Sequence, residues 1–83
     1  MNPGDPAEPA RIERAIARAL RVPETSLARP VRMGATPGWD SMGHMIVVLE
    51  LESEFGVRIP TARLPELVDV DSIARVLAQV RGR

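Results

Sequence analysis

The chain has 83 residues with no cysteine and no lysine, and its 11 arginines balance 11 acidic residues, so that the formal net charge is zero. A neutral chain creates no overall field toward nucleic acid or an anionic membrane, and we expect neither as a partner. The absence of cysteine excludes disulfides, thiolate metal sites and thiol catalysis. At this length we expect a single domain.

No part of the sequence is apolar for long enough to cross a membrane. The longest strictly apolar run, Met45 to Leu49, has five residues, whereas a span needs about 20. The amino-terminal residues are rich in proline and lack the basic-then-apolar pattern of a secretory signal. We therefore expect a cytoplasmic, monomeric protein without a membrane span.

Residues 1–8 bury too little apolar surface to offset the entropy of ordering, so we expect a flexible lead ahead of a domain over residues 9–83. The first helix is expected to begin near Pro9, since proline is favoured in a first helical turn. Apolar residues at helical spacing predict that this helix is amphipathic, and Pro23 is expected to end it. These apolar residues are Ile12, Ala15, Ile16, Ala19 and Leu20.

A long connection over residues 22–39 leads to the second helix. It contains three prolines and two glycines, and loops of this length are uncommon in compact domains and often functional. The second helix is expected to begin at Asp40 or Ser41 and to run to Phe55. Gly56 should end it in the left-handed conformation.

The remainder of the chain predicts one short turn and a last helix. Residues 57–60 should be extended because the residue before Pro60 avoids the helical region. Thr61 is expected to cap a short turn that ends near Pro65, and the last helix should begin between Asp69 and Asp71. Its apolar face would comprise Val70, Ile73, Ala74, Leu77 and Val80. With no sustained strand alternation, we expect an all-α fold, a small bundle of three main helices plus one short helix.

The second helix carries two apolar stripes, offset by about a third of a turn. The first, expected to face the core, comprises His44, Val47, Val48, Leu51 and Phe55. The second comprises Met42, Met45, Ile46 and Leu49. Both stripes could be core, but a three-helix domain can cover only part of such a surface. Methionine also suits surfaces that fit several partners, so the second stripe is a candidate for partner recognition.

Ser41 stands directly before this apolar segment, where a serine is ordinarily a helix cap. A catalytic triad would need a base and an orienting acid, and the single histidine, His44, is directed toward the core stripe. Without a second histidine there is no support for a metal site. On pattern alone a cap is the simpler interpretation, and a functional hydroxyl is the alternative.

Three motifs favour the functional alternative. Asp40-Ser41-Met42 opens the second helix, Glu52-Ser53-Glu54-Phe55-Gly56 closes it, and Ile59-Pro60 follows. Together they resemble the acyl carrier protein family, over about residues 9–80. The resemblance implies that Ser41 is the covalent attachment point of 4′-phosphopantetheine, which a separate phosphopantetheinyl transferase takes from coenzyme A.

The resemblance also implies that the protein is not itself an enzyme and that it presents acyl groups as thioesters. The implied partners are the transferase, an acyl- or aminoacyl-loading ligase, and acyl-transferring or condensing enzymes of fatty acid or polyketide synthesis. Asp40, the acidic neighbour, would cap the helix and help to engage the transferase and its magnesium. Trp39 would either pack the loop or contact partners, and His44 is expected to be packed and hydrogen-bonded.

The sequence departs from the strongly acidic carriers of primary fatty-acid synthesis. Gly43 and Ile46 stand where those carriers have acidic residues, which favours a specialised pathway. Glu50, Glu52, Glu54 and Glu66 remain as candidate electrostatic contacts or as a solvated polar face. Two alternatives stay open: an aminoacyl or peptidyl carrier that serves an adenylating ligase, and an unmodified helical adaptor that uses the apolar stripes alone.

Overall fold

Apolar periodicity and local capping produce three α-helices in the computed structural model, which describes residues 8–27 and 29–81. The helices are α1 (Glu8–Leu20), α2 (Ser41–Phe55) and α3 (Val70–Arg81), with two 3₁₀ helices at Glu24–Ser26 and Thr61–Glu66. Within these described ranges the only strand-like pairing is an isolated antiparallel bridge between Arg32 and Asp69. The predicted all-α bundle is confirmed, with one 3₁₀ helix more than expected.

The first helix ends earlier than predicted and for a different reason. Arg21 adopts a left-handed conformation, with φ of 59°, and the Val22 N–H donates to the Ala17 carbonyl at 3.0 Å. This is the hydrogen-bond pattern with which helices commonly stop, although glycine usually holds the left-handed position. The expectation that Pro23 ends the helix is therefore wrong.

Glu8 belongs to the domain and not to the predicted lead. It is the first residue of α1, and its side chain is buried, with a relative exposure of 2%. Its Oε1 accepts a hydrogen bond from Nη2 of Arg81, at 2.6 Å. This ion pair joins the beginning of α1 to the end of α3. The rest of the predicted lead, residues 1–7, lies outside the described residues.

The core forms where the first apolar stripe of α2 meets the apolar faces of α1 and α3. Its helical members are Ile12, Ala15, Ile16, Ala17, Ala19, Val47, Val48, Leu51, Ile73, Val76 and Leu77, joined by Leu27, Val31, Trp39, Ile59 and Leu67 from the connections. Val76, which lies outside the predicted apolar face of α3, is also buried. The long connection is thus packed against the helices by its own buried apolar side chains.

The end of α2 and the turn after it differ from expectation in two details. Phe55 packs against the core as expected but is only half-buried, and it lies between two guanidinium groups: Arg11 is 4.5 Å and Arg81 is 5.4 Å from the ring centre. Thr61 does not cap the following turn, since Pro60 occupies the cap position without a side-chain hydrogen bond. The second 3₁₀ helix ends at Glu66, the residue after Pro65, as expected.

The start of α3 is held by a reciprocal cap between Asp69 and Ser72. Oδ1 of Asp69 accepts from the Ser72 N–H at 2.8 Å, and the Ser72 hydroxyl accepts from the Asp69 N–H at 3.0 Å. Asp69→Ala removes the first bond and should lower the free energy of unfolding by about 1 kcal/mol. Urea denaturation followed by circular dichroism measures the loss.

Asp69→Asn is the matched control, since an asparagine can still cap the helix. The hydrogen bond from the Ser72 N–H is the main cause that lowers the pKa of Asp69 in the folded protein. The stability it contributes is therefore present above its unfolded-state pKa and is lost as the pH falls through the lower folded-state pKa. The asparagine variant should lack this part of the acid sensitivity, and an equal acid sensitivity in both proteins would contradict this assignment.

Candidate functional site

The junction between the long connection and α2 is built around the Asp40 cap. Asp40 is extended, with φ of −103° and ψ of −166°, and its Oδ1 accepts from the Gly43 N–H at 2.8 Å. Its carbonyl accepts from the His44 N–H at 2.7 Å. Gly56 ends the helix with φ of 64°. The predicted bounds of this helix, and its left-handed glycine stop, are confirmed.

Because Asp40 is the cap, Ser41 is the first helical residue and its hydroxyl is not needed to cap the helix. The side chain is exposed and makes no hydrogen bond to the residues that the structure describes. Helix geometry also gives the N–H groups of Ser41 and Met42 no acceptor within α2. An accessible hydroxyl and unpaired backbone donors therefore meet at one point of the surface.

His44 does not act as a base for Ser41, because both of its ring nitrogens are used inside the domain. Nδ1 accepts from Nε1 of Trp39 at 3.0 Å, and Nε2 lies 2.9 Å from the Leu64 carbonyl. Since the indole N–H can only donate, Nδ1 is the acceptor and Nε2 carries the proton that it donates to Leu64. The prediction of a packed, hydrogen-bonded histidine is confirmed.

Trp39 is a core residue and not part of a partner surface. Its relative exposure is 1%, and its ring stacks on that of His44 with centroids 6.2 Å apart. Of the two roles that the sequence suggests for Trp39, packing and partner recognition, its burial contradicts the second. The indole anchors the long connection beneath α2, and so holds the segment that leads to Ser41.

Position 43 must be a glycine for a steric reason that the sequence did not reveal. A Cβ at this position would lie 2.1 Å from the Gly38 carbonyl oxygen, a backbone atom, and only 3.4 Å from Oδ1 of Asp40. Gly38 itself has φ of 89°, a conformation suited to glycine. The connection thus passes so close to the first turn of α2 that no side chain fits, and the absence of an acidic residue here follows from packing.

Gly43→Ala is therefore expected to lower the free energy of unfolding by about 1–3 kcal/mol, because the connection must move away to make room. Thermal denaturation measures this effect. Gly56→Asn is the control at a glycine with a left-handed backbone but nothing within 4 Å of a Cβ. Asparagine tolerates that conformation, so its cost should be smaller. A Gly43→Ala protein as stable as the natural one would refute the close approach.

The second apolar stripe of α2 is exposed along its length. The relative exposures are 79% for Met42, 49% for Met45, 46% for Ile46 and 61% for Leu49. The buried residues of α2 are Gly43, His44, Val47, Val48 and Leu51. The two stripes thus divide as predicted, one in the core and one facing outward, and the outward stripe begins beside Ser41.

The carboxylates of α2 are engaged within the domain. Glu50 and Glu54 both accept from Arg18, at 3.2 and 2.8 Å, and Glu54 also accepts from Arg11 at 3.1 Å. The hydrogen bonds from Arg18 and then Arg11 lower the pKa of Glu54. Oε2 of Glu52 accepts from the Ile59 N–H at 2.8 Å. These glutamates are not freely solvated, and they hold α2 to its neighbours.

Glu66 is also paired: it accepts from Arg63 at 2.8 and 2.9 Å, and these bonds lower its pKa. A signal for the pairing between α1 and α2 was present in the sequence. Arg11 and Arg18 are seven residues apart on one helix, and Glu50 and Glu54 are four apart on the other, so each pair shares a face. Which helices face each other could not be read from those spacings.

Over residues 8–27 and 29–81, no group of three or more metal-binding side chains comes together. No helix in this part of the chain has the length and apolar character that crossing a bilayer requires. No family model, no curated protein and no solved structure matches the chain. The geometry around Ser41 and the sequence motifs are therefore the features that bear on function.

Proposed function

We propose that this protein is an acyl carrier: it holds acyl intermediates as thioesters on 4′-phosphopantetheine attached to Ser41 and presents them to biosynthetic enzymes. The observation that supports this most is the position of Ser41. Its hydroxyl is exposed at the first position of α2, directly after the Asp40 cap and directly before the exposed apolar stripe. Capping does not need this hydroxyl, so a different role is available to it.

The residues at the junction fit a phosphodiester. Asp40 accepts a hydrogen bond from the Gly43 N–H. The N–H groups of Ser41 and Met42 remain without an acceptor in α2, at the positive end of the helix. An anion at an exposed helix start is stabilised by about 0.3–1 kcal/mol. When bound, the arm supplies a thiol that keeps a carboxylic acid activated as a thioester, and Ser41 supplies the oxygen that links it to the domain.

The second carboxylate oxygen of Asp40 is available to bind a partner. Its Oδ1 caps the helix, while Oδ2 makes no hydrogen bond to the described residues, and the residue is exposed. Carboxylate oxygens are ligands that Mg²⁺ prefers. We assign this free oxygen to the transferase and its magnesium, so that one residue both presents Ser41 and helps to recruit the enzyme that modifies it.

The carrier itself performs no catalysis in this proposal, and the occupied ring nitrogens of His44 are consistent with that. A loading ligase would supply the acyl group, and acyl-transferring or condensing enzymes would consume it. Ile46, which is exposed where the carriers of primary fatty-acid synthesis have an acidic residue, favours fatty acid or polyketide chemistry in a specialised pathway over primary fatty-acid synthesis.

The exposed stripe of α2 also favours a second candidate, an unmodified adaptor that docks one helix face into a partner's groove. The intact mass of protein purified from its native host decides between the two. A carrier should show the mass of the arm, alone or with its cargo, and the cargo distinguishes acyl from aminoacyl or peptidyl groups. Native protein that is always unmodified would support the adaptor.

A further inference from the structure

Ser41 lies between two buried side chains that are bonded to each other. Trp39 precedes it by two residues and His44 follows it by three, and the Trp39 indole N–H donates to Nδ1 of His44 at 3.0 Å. The two rings are also stacked, with an angle of 21° between their planes. The chain before Ser41 and the chain after it are therefore tied together by one contact.

The second ring nitrogen of His44 ties a distant segment to the same point. Nε2 lies 2.9 Å from the carbonyl oxygen of Leu64, which is 20 positions further along the chain and belongs to the second 3₁₀ helix. The same carbonyl accepts from the Leu67 N–H, as its two lone pairs allow. One imidazole thus joins the long connection, α2 and the second 3₁₀ helix within one turn of Ser41.

Few side chains can make both bonds at position 44. The indole N–H only donates and the Leu64 carbonyl only accepts, so the side chain between them must accept at one atom and donate at another. A neutral imidazole does so, and a glutamine amide also has one acceptor and one donor. An aliphatic side chain would leave the Trp39 N–H buried without an acceptor. The role of His44 therefore depends on its hydrogen bonds and not only on its volume.

The Ser41 hydroxyl depends on this framework for its direction, because it makes no hydrogen bond to the described residues. In arm transfer its oxygen would bond to the phosphorus that carries pantetheine. The bond from that phosphorus to the nucleotide part of coenzyme A would break, with the electron pair leaving on the nucleotide, and the hydroxyl proton would pass to the transferase or to water. Such a displacement is fast only when the attacking oxygen is aligned with the phosphorus.

We infer that His44 is a positioning residue for attachment of the arm, an inference that rests on the proposed function. Its two hydrogen bonds fix the course of the connection and of the second 3₁₀ helix around the first turn of α2. They thereby fix the direction in which Ser41 presents its hydroxyl to the transferase. Without them Ser41 stays exposed but samples more orientations, and fewer of these are aligned for transfer.

The test compares His44→Leu, which removes both bonds, with His44→Gln, whose amide can replace both. The probe is a broad-specificity phosphopantetheinyl transferase with coenzyme A and magnesium, and the readouts are kcat and KM with the full chain as the varied substrate. Ile12→Val is the control for lost core packing away from the junction. Ile12 is buried beside Arg11, which pairs with Glu54 at the opposite end of α2 from Ser41.

We expect kcat to fall about tenfold in His44→Leu while KM changes by less than about threefold, since a misdirected hydroxyl slows the chemical step more than it weakens binding. His44→Gln should return kcat to within about threefold of the natural protein. Ile12→Val should retain the natural kcat below its melting temperature. Hydrogen exchange of the Trp39 indole N–H, followed by NMR, should be at least about tenfold faster in His44→Leu than in the other proteins.

The inference is overturned if His44→Leu exchanges its indole N–H faster yet retains the natural kcat, because the two bonds would then be structural alone. It is also overturned if only KM changes, or if Ile12→Val loses as much kcat as His44→Leu. Should His44→Leu fail to fold, Trp39→Phe, which removes the first bond, takes its place with the same expectation. These outcomes leave the proposed function standing, whereas a natural protein that accepts no arm refutes both.

Discussion

Ser41→Ala should abolish attachment of the arm while leaving the fold intact. The substitution removes the only oxygen proposed to form the phosphodiester. The hydroxyl makes no hydrogen bond to the described residues, and the cap of α2 comes from Asp40, so the free energy of unfolding should change by less than about 0.5 kcal/mol. Incubation with coenzyme A, magnesium and a broad-specificity transferase, followed by intact mass, measures the effect.

Ser53→Ala is the matched control, because Ser53 is another exposed serine on the same helix. It should gain one arm at the same rate as the natural protein, whereas Ser41→Ala should gain none. An undiminished mass gain in Ser41→Ala would show that the attachment site is elsewhere. A fall of more than about 5 °C in the melting temperature of Ser41→Ala would show that the hydroxyl has a structural role after all.

Trp39→Ala should lower the free energy of unfolding by about 3–5 kcal/mol. This loss is larger than those expected for Asp69→Ala and Gly43→Ala. The indole is buried, stacks on His44 and donates to its Nδ1, so truncation leaves a cavity and an unpaired buried acceptor. For a chain of this length the total stability is about 4–12 kcal/mol. Urea denaturation followed by far-ultraviolet circular dichroism measures the loss. Tryptophan fluorescence is unsuitable, because the substitution removes the single tryptophan of the chain.

Trp39→Phe separates the contribution of apolar packing from that of the hydrogen bond to His44. It keeps much of the apolar volume but removes the donor to His44, and should cost about 1–3 kcal/mol. If Trp39 were a partner contact instead of a core residue, Trp39→Ala would leave stability unchanged and slow only arm transfer. That result would contradict the burial of the indole.

The bounds of α2 and the division of its two apolar stripes could be predicted because both depend on local rules. A cap such as Asp40 and a left-handed stop such as Gly56 act on adjacent residues, and helical spacing alone decides which side chains share a face. The same rules identified Ser41 as a residue standing at a helix start.

Sequence reasoning was insufficient in two places, one local and one that depended on a contact between distant segments. Pro23 is the expected end of α1, but Arg21 ends the helix in a conformation that its residue type does not favour. Glu8 falls within the predicted flexible lead, yet it pairs with Arg81, a residue from the opposite end of the chain. The stop at Arg21 uses hydrogen bonds between residues at most five apart, whereas the Glu8–Arg81 pair depends on how the fold brings α1 and α3 together.

The sequence by itself thus determined the three main helices of this protein, the place of Ser41 at the start of α2 and the apolar character of the stripe beside it. Only the tertiary structure decided that Trp39 is buried against His44, that Gly43 must lack a side chain, and that the α2 glutamates are occupied. The physical reason is distance along the chain: periodicity and capping act within a few residues, whereas burial, close approach and ion pairing depend on which elements the fold brings together.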